Sequence, residues 1–345
     1  MIGDLASDAL ALARVFSGGS RLVVAAPGRH DHAQHVAVEF IHPAVVGARS
    51  LPAVAANLED LAHLVGPDDA LLVLLPAEQP SMGFEHELPE AALVLTTDPA
   101  ATEPELVRWY HVLWELVQVG LEHPGLTGGK AVSGGDSTNF LYPFLDAAET
   151  SEADLLTSMQ ESAAGKALES TSLSDAAVAQ NEAELDNVAR AIDACRQRGY
   201  TVHTIGNGGS SSDAARLARL LRAEQVRANC LATDPAVLTA LANDLGVDRI
   251  FARQVEAAVR PGDVLVIFST SGASPNLLAA LDVDVVNNAT TVTSAGYGGG
   301  PLAEHPAVDH RLTIDSSSVH RIQEAQGVLM DQLCARLRTE VEVGR

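Results

Sequence analysis

The chain has 345 residues, 47% of them apolar, and a formal net charge of −23 from 45 Asp and Glu against 22 Lys and Arg. Nucleic acid and anionic membrane both reward clustered Lys and Arg, which this balance lacks, so neither is expected as a partner. The length suits two domains, each with its own core, and no apolar run reaches the roughly eighteen residues of a membrane span.

The start of the chain carries Asp4 and Asp8 without a basic region or a long apolar core, so no signal peptide is expected and the protein reads as soluble and cytoplasmic. Cys195, Cys230 and Cys334 are odd in number and lack metal spacing, which predicts reduced, buried thiols.

In chain order, the pattern predicts a helix over residues 4–16, a strand over 21–25, and a helix through a His-rich stretch that contains His30, His32, His35, Glu39 and His42. The three-and-four spacing puts His32, His35, Glu39 and His42 on one face. Such a face suits a divalent metal, and it equally suits a solvated surface of an acidic protein. A strand over 68–75 then runs into Pro76-Ala77-Glu78-Gln79, and a long helix over 103–123 places Trp109, Leu113 and Trp114 in a core or an interface. Pro124-Gly125 closes this part. Residues 127–139 are Gly/Ser-rich and read as a linker or loop, followed by the aromatic run 140–145, expected to pack between domains. Two helices follow, over about 151–170 and 174–198, the second with Val178, Leu185, Val188 and Ile192 along one stripe.

The second half contains two polar strand-to-helix turns. After the strand at 200–205 comes Gly206-Asn207-Gly208-Gly209-Ser210-Ser211-Ser212-Asp213, and after the apolar strand at 264–268 comes Ser269-Thr270-Ser271-Gly272-Ala273-Ser274-Pro275-Asn276. Unpaired N–H groups at a helix start, a favourable helix dipole and short hydroxyl side chains are what a phosphate needs, and glycine lets the backbone come close. Neither turn is a Walker A or a Rossmann fingerprint, so no nucleotide cofactor is expected, and a phosphate on a small polar body fits better.

These stretches resemble the sugar isomerase (SIS) domain and, within it, the phosphoheptose (sedoheptulose 7-phosphate) isomerases. The resemblance rests on GNGGSSSDA at 206–214, ATDPAVLTALANDLGVDRIFARQVEA at 232–257, RPGDVLVIFSTSGASPN at 260–276 and RIQEA at 321–325, and it covers about residues 155–340. It implies that Ser210, Ser269, Thr270, Ser271 and Ser274, with the backbone of Gly208 and Gly209, hold a sugar phosphate, while Asn207 and Asp234 line the sugar chain. The same comparison exposes losses. Where the isomerases carry a His and, four residues later, a Glu, this chain has Arg216 and Leu220. Where their last helix supplies a Gln and a His eight residues on, it has Gln323 and Asp331, and His320 stands where an Asp is usual.

The first 125 residues read as an eroded second copy of the same unit, because sliding 26–40 onto the first loop and its helix places His35 at Arg216 and Glu39 at Leu220. The expected fold is therefore α/β, with two SIS-like units, each a mostly parallel sheet flanked by helices, arranged as an intrachain pseudo-dimer that pairs again into a homodimer. The expected division is 1–125, a linker at 126–150, and 151–340. The resemblance implies an aldose–ketose phosphate isomerase with a site at the interface of its halves. In it Glu39, His35, Gln323 and Asp331 serve catalysis, and His35 and Glu39 hold a divalent metal such as zinc. A third ligand is open among His111, Glu115, Gln118, Gln323 and Asp331. The alternative is an inactive phosphosugar sensor, scaffold or accessory protein, since VRWYHVLWELVQVGLEHP at 107–124 is similar to SIS proteins encoded beside bacterial NiFe-hydrogenase genes.

Overall fold

The computed structural model describes residues 5–42, 50–75, 88–128 and 151–343, without the side chains of 339–343. The segment 76–79, most of the Gly/Ser-rich stretch and the aromatic run 140–145 lie outside the described residues. Its contacts separate two compact units, with the division between Glu169 and Ser170.

The first unit contains α1 (Leu5–Ser17), β1 (Leu22–Ala25), α2 (His30–Ile41), β2 (Ala53–Ala56), α3 (Leu61–Leu64), β3 (Ala70–Val73), β4 (Leu93–Thr96), α4 (Glu103–Leu121) and α5 (Pro124–Thr127). Its four strands run parallel in the order β2-β1-β3-β4. β1 and β3 are apolar throughout and fully buried, as strands covered by helices on both faces must be. α4 begins at Thr102, whose backbone N–H donates to the Glu105 carboxylate at 2.8 Å, with Pro104 in the first turn. Trp114 and Leu113 are wholly buried, and Trp109 nearly so, in one core with Phe16 and Phe40. Gly120 lets α4 approach α1, since a Cβ there would lie 2.9 Å from that of Ala13.

The second unit contains β5 (Val202–Ile205), α7 (Gly209–Ala223), β6 (Ala228–Cys230), α8 (Pro235–Leu245), α9 (Ile250–Ala258), β7 (Val264–Ser269), α10 (Pro275–Leu281), β8 (Thr290–Ala295), α11 (Gly300–Glu304), β9 (His310–Thr313) and α12 (Val319–Val343). Its five parallel strands are ordered β6-β5-β7-β8-β9, so the first four repeat the order of the other sheet and β9 extends it. All three cysteines are buried and free, and burial pushes the Cys195 thiol up to about 11. Among the described residues no helix is long and apolar enough to cross a membrane.

Where the pattern predicts two helices between 151 and 198, the chain forms one, α6 (Glu152–Gln197). The Ser-Thr-Ser run at 170–172 lowers helix propensity but contains neither Pro nor Gly, and Ser170 and Ser174 are buried, so nothing there breaks the ladder. Leu155, Met159 and Ala163 join the first core, and Leu185, Val188 and Ile192 join the second.

One device recurs in both sheets. Asp263, just before β7, accepts the backbone N–H of Thr201 at 2.9 Å and of Arg260 at 2.8 Å, and lies 3.3 Å from His203 Nε2. Asp69, just before β3, accepts the backbone N–H of Arg21 at 3.2 Å and of Gly66 at 2.9 Å, and the Arg21 Nε–H at 3.0 Å. Burial pushes the Asp69 carboxyl up, but these donors together hold it below the ordinary aspartate value. Burial also pulls the His203 imidazole below its usual value, against the opposing attraction of Asp263. Each carboxylate thus pins the start of one strand to the start of its neighbour. Asp263→Ala orphans two buried-side N–H groups and is expected to cost about 2–4 kcal/mol, read as a lowered denaturant midpoint for the second unit.

Candidate functional site

In the second unit β5 and β7 are neighbours, with Ile205 beside Ile267, and from them the sheet builds outward to β6 on one side and β8 on the other. The crevice outside the carboxyl ends of such a pair is where open parallel sheets take ligands. Both polar turns open there. Gly206 has no room for a side chain, since a Cβ would meet the Ser210 carbonyl oxygen at 2.3 Å, and α7 starts directly after Gly208.

The second turn is shaped by its own hydroxyls. Ser269 Oγ accepts the Gly272 N–H at 3.0 Å and Ser271 Oγ accepts the Ala273 N–H at 3.2 Å, which leaves the O–H proton of each serine to be donated elsewhere. Gly272 has φ +65°, and a Cβ on it would fall 2.1 Å from the Gly299 carbonyl oxygen. Behind it, Tyr297, Gly298, Gly299 and Gly300 all have positive φ. The two turns are joined by a reciprocal amide pair: Asn207 and Asn276 each donate to the other's side-chain oxygen at 2.9 Å.

Of the residues expected to hold the phosphate, Ser210 and Ser269 are buried, Gly209, Thr270 and Ser274 are half-buried, and Gly208 and Ser271 are exposed. Asn207, expected along the sugar chain, spends its amide on Asn276. Asp234 caps α8, where its carboxylate accepts the N–H groups of Ala236 at 2.9 Å and Val237 at 3.2 Å.

Beneath α7 a buried acid meets a buried cation. Asp213 is fully buried and lies 2.5 Å from Arg216 Nη2, and its second oxygen accepts from Gln323 Nε2 at 3.4 Å. A guanidinium has donors only, so Arg216 cannot ligate a metal where a His would. Asp331 is half-buried on α12, two turns beyond Gln323. Gln326, one turn beyond Gln323 and not singled out by the motif, donates to the carbonyls of Ser294 at 2.8 Å and Ser269 at 3.3 Å, which ties the ends of β7 and β8 together.

In the first unit the metal-type residues converge. His35 on α2 is 3.6 Å from Glu39 Oε1 through its Nε2, and the same nitrogen is 3.4 Å from His111 Nε2 on α4. All three side chains are buried, while His30 and His42 are exposed, so the solvated-face expectation fails for the inner members of that stripe. The ligand atoms all lie within 4.8 Å of one another. Zinc bonds of about 2.0–2.1 Å in a tetrahedron separate ligand atoms by about 3.3–3.4 Å, close to the two His35 contacts. Tyr110 Oη lies 3.0 Å from His35 Nδ1. Were a metal bound at Nε2, Nδ1 would carry the proton and donate to Tyr110, the kind of outer contact that fixes a ligating imidazole. Of the third-ligand candidates on α4, His111 lies with His35 and Glu39. Glu115 instead pairs with Lys166 Nζ at 2.8 Å.

A SIS domain model matches residues 168–288. The phosphoheptose isomerase of Solidesulfovibrio magneticus is 40% identical over 161 residues, which cover 45% of this chain and 78% of that protein. The chain belongs to the SIS family. The phosphoheptose isomerase of Roseiflexus sp. is 40% identical over 144 residues, with 72% of its length covered. The solved phosphoheptose isomerase of Neisseria gonorrhoeae superimposes with a TM-score of 0.50 at 30% identity, over 52% of this chain and 99% of its own. The C-terminal domain of glucosamine-fructose-6-phosphate aminotransferase from Francisella tularensis covers 97% of this chain and 92% of its own at a TM-score of 0.58 and 10% identity, a likeness of fold alone. The likeness to that domain spans both parallel-sheet units.

The tight seat of Gly272 gives a direct check on the second turn. Gly272→Ala combines a left-handed backbone with a collision against Gly299 and is expected to lose about 3 kcal/mol or more in thermal or denaturant unfolding.

Proposed function

We propose that the protein is a phosphosugar isomerase of the phosphoheptose isomerase type, interconverting aldose and ketose phosphates with chemistry drawn from both units. The observation that carries this reading is complementarity. The second unit has the phosphate-type turns but Arg216, paired with Asp213, and Leu220 where the isomerases have a His and a Glu, and the first unit has the buried His35, Glu39 and His111. The shared strand order and the matching roles of Asp69 and Asp263 support reading the units as tandem copies, each with a different half of the function retained.

In this reading the N–H groups at the start of α7 and the hydroxyls of Ser210, Ser269, Thr270, Ser271 and Ser274 hold the phosphate, and Asn207 and Asp234 border the sugar. The Glu39 carboxylate moves the proton between C1 and C2, and Gln323 and Asp331 assist as polar neighbours of the reacting carbons. His35, Glu39 and His111 would hold a divalent cation such as zinc, which when bound polarises the substrate carbonyl and offsets its developing negative charge. The protein acts in the cytoplasm as a dimer of such chains, without a nucleotide cofactor.

A binding-only role, as a phosphosugar sensor or an accessory protein, is favoured by one observation: Arg216 and Asp213 neutralise each other where the family has its catalytic His. Turnover and binding of sedoheptulose 7-phosphate separate the two readings. An isomerase loses at least about 100-fold in kcat in His35→Ala and Glu39→Gln while still binding the sugar phosphate, and Ser271→Ala weakens binding by about 10-fold. Binding that needs Ser271, with no turnover in the wild type, assigns the sensor or accessory role.

A further inference from the structure

β9 is the last strand of the second sheet and pairs with β8 alone. An edge strand turns every second backbone N–H and C=O away from its neighbour, and such a row is a template for one more strand. Ile314, just past β9, donates its N–H to the Ala295 carbonyl at the end of β8 at 2.9 Å. Thr313 and Arg311, one and three residues before it, therefore turn their N–H groups outward.

Both outward groups end on side chains of α6. The Thr313 N–H donates to Asn181 Oδ1 at 2.9 Å, and Asn181 Nδ2 donates back to the Thr313 carbonyl at 2.8 Å. The Arg311 N–H donates to Glu184 Oε1 at 3.3 Å, with His310 Nδ1 2.9 Å from the same oxygen. A carboxamide carries the same groups as a peptide bond, so Asn181 offers Thr313 the donor and the acceptor that the backbone of a neighbouring strand would offer. Asn181 is 3% exposed, and its Nδ2 also donates to the Ala177 carbonyl at 2.7 Å, which fixes the amide on its own helix. Gln180 Nε2 adds a bond to Thr313 Oγ1 at 3.0 Å. Burial pushes the Glu184 carboxyl up, but donors from Asn187, His310 and the Arg311 backbone hold it below the ordinary glutamate value, so it meets the edge as an acceptor.

We infer that α6 seals the free edge of the second sheet: Asn181 and Glu184 stand in for a sixth strand and keep β9 from pairing with the β9 edge of a second copy of this chain. The seal is local to the second unit, which contains both partners. Asn181 and Glu184 share a helix face by their three-residue spacing, and Arg311 and Thr313 share the outward side of the strand by their two-residue spacing. The strand has little other protection. It carries no proline, and its Arg311 side chain turns back to donate its Nε–H to the Ala303 carbonyl. At the opposite border β6 is only three residues long, which blunts that edge by itself. Association between copies thus uses surfaces other than this edge while α6 stays in place.

The test is the full-length double variant Asn181→Ala/Glu184→Ala. It is followed by light scattering over a concentration series, and by hydrogen exchange of the peptide spanning 309–314 at the lowest concentration. Exchange at Arg311 and Thr313 is expected to rise about tenfold or more over the wild type, and the mass to climb with concentration beyond that of the wild type. Asp263→Ala, which weakens the same sheet away from this edge, is the control and keeps the wild-type mass. If the double variant fails to fold, Glu184→Ala alone, which frees only the Arg311 N–H, is read in the same two ways. Unchanged exchange, faster exchange with an unchanged mass at every concentration, or equal growth in Asp263→Ala overturns the seal.

Discussion

Because β5 and β7 pair in parallel and in register, both end at the same edge of the sheet, and the segments that leave them emerge side by side. Everything proposed for the anion depends on that adjacency. It lets Asn207 and Asn276, sixty-nine residues apart, close a reciprocal amide pair, and it lets Gln326 grip the ends of β7 and β8 from a helix behind them. The Asp263 carboxylate acts at the opposite end of these strands, where it fixes the relative starts of β5 and β7, as Asp69 does for β1 and β3 in the other sheet. A parallel pair held at one end delivers its loops at the other in a fixed relation, and this preorganisation is what a small charged ligand needs.

The two units handle buried charge in opposite ways. In the second, Asp213 is fully buried and its carboxylate faces the Arg216 guanidinium and the Gln323 amide. Removing Arg216 would leave an uncompensated carboxylate, which is the costly half of any buried ion pair. In the first, His35, His111 and Glu39 bring lone pairs toward a common centre. The second unit thus pairs an acid with a cation beneath the phosphate-type turns, and the first gathers metal-type side chains.

Much of this was legible in the sequence. Apolar runs ending in Gly/Ser-rich turns located β5 and β7 and their helices, because continuous apolar strands followed by hydroxyls have few other uses. The His35–Glu39 pair was legible from i, i+4 spacing. Its burial was not, since the same spacing fits a face turned to water, and only the packing of α2 on α4 decides. His111 could not be ranked over Glu115 and Gln118 because which residue of one helix faces another depends on crossing geometry that no local pattern encodes. Asn276 ends the second polar motif, yet its role as the partner of Asn207 appears only when the turns are side by side. The continuity of α6 was missed because a Ser/Thr run mimics a break that tertiary burial overrides. The division of function between the units rested on aligned losses, Arg216 for His and Leu220 for Glu, and these are visible in residues alone.

The measurement that bears most directly on the account is hydrogen exchange into sedoheptulose 7-phosphate in D₂O, followed by NMR with the wild-type protein and Glu39→Gln. Exchange at the carbons beside the carbonyl reports proton abstraction even where net conversion is slow. The account predicts exchange catalysed by the wild type and abolished in Glu39→Gln, which still binds the sugar phosphate. Exchange that persists in Glu39→Gln, or a wild type that binds without exchanging, would contradict it.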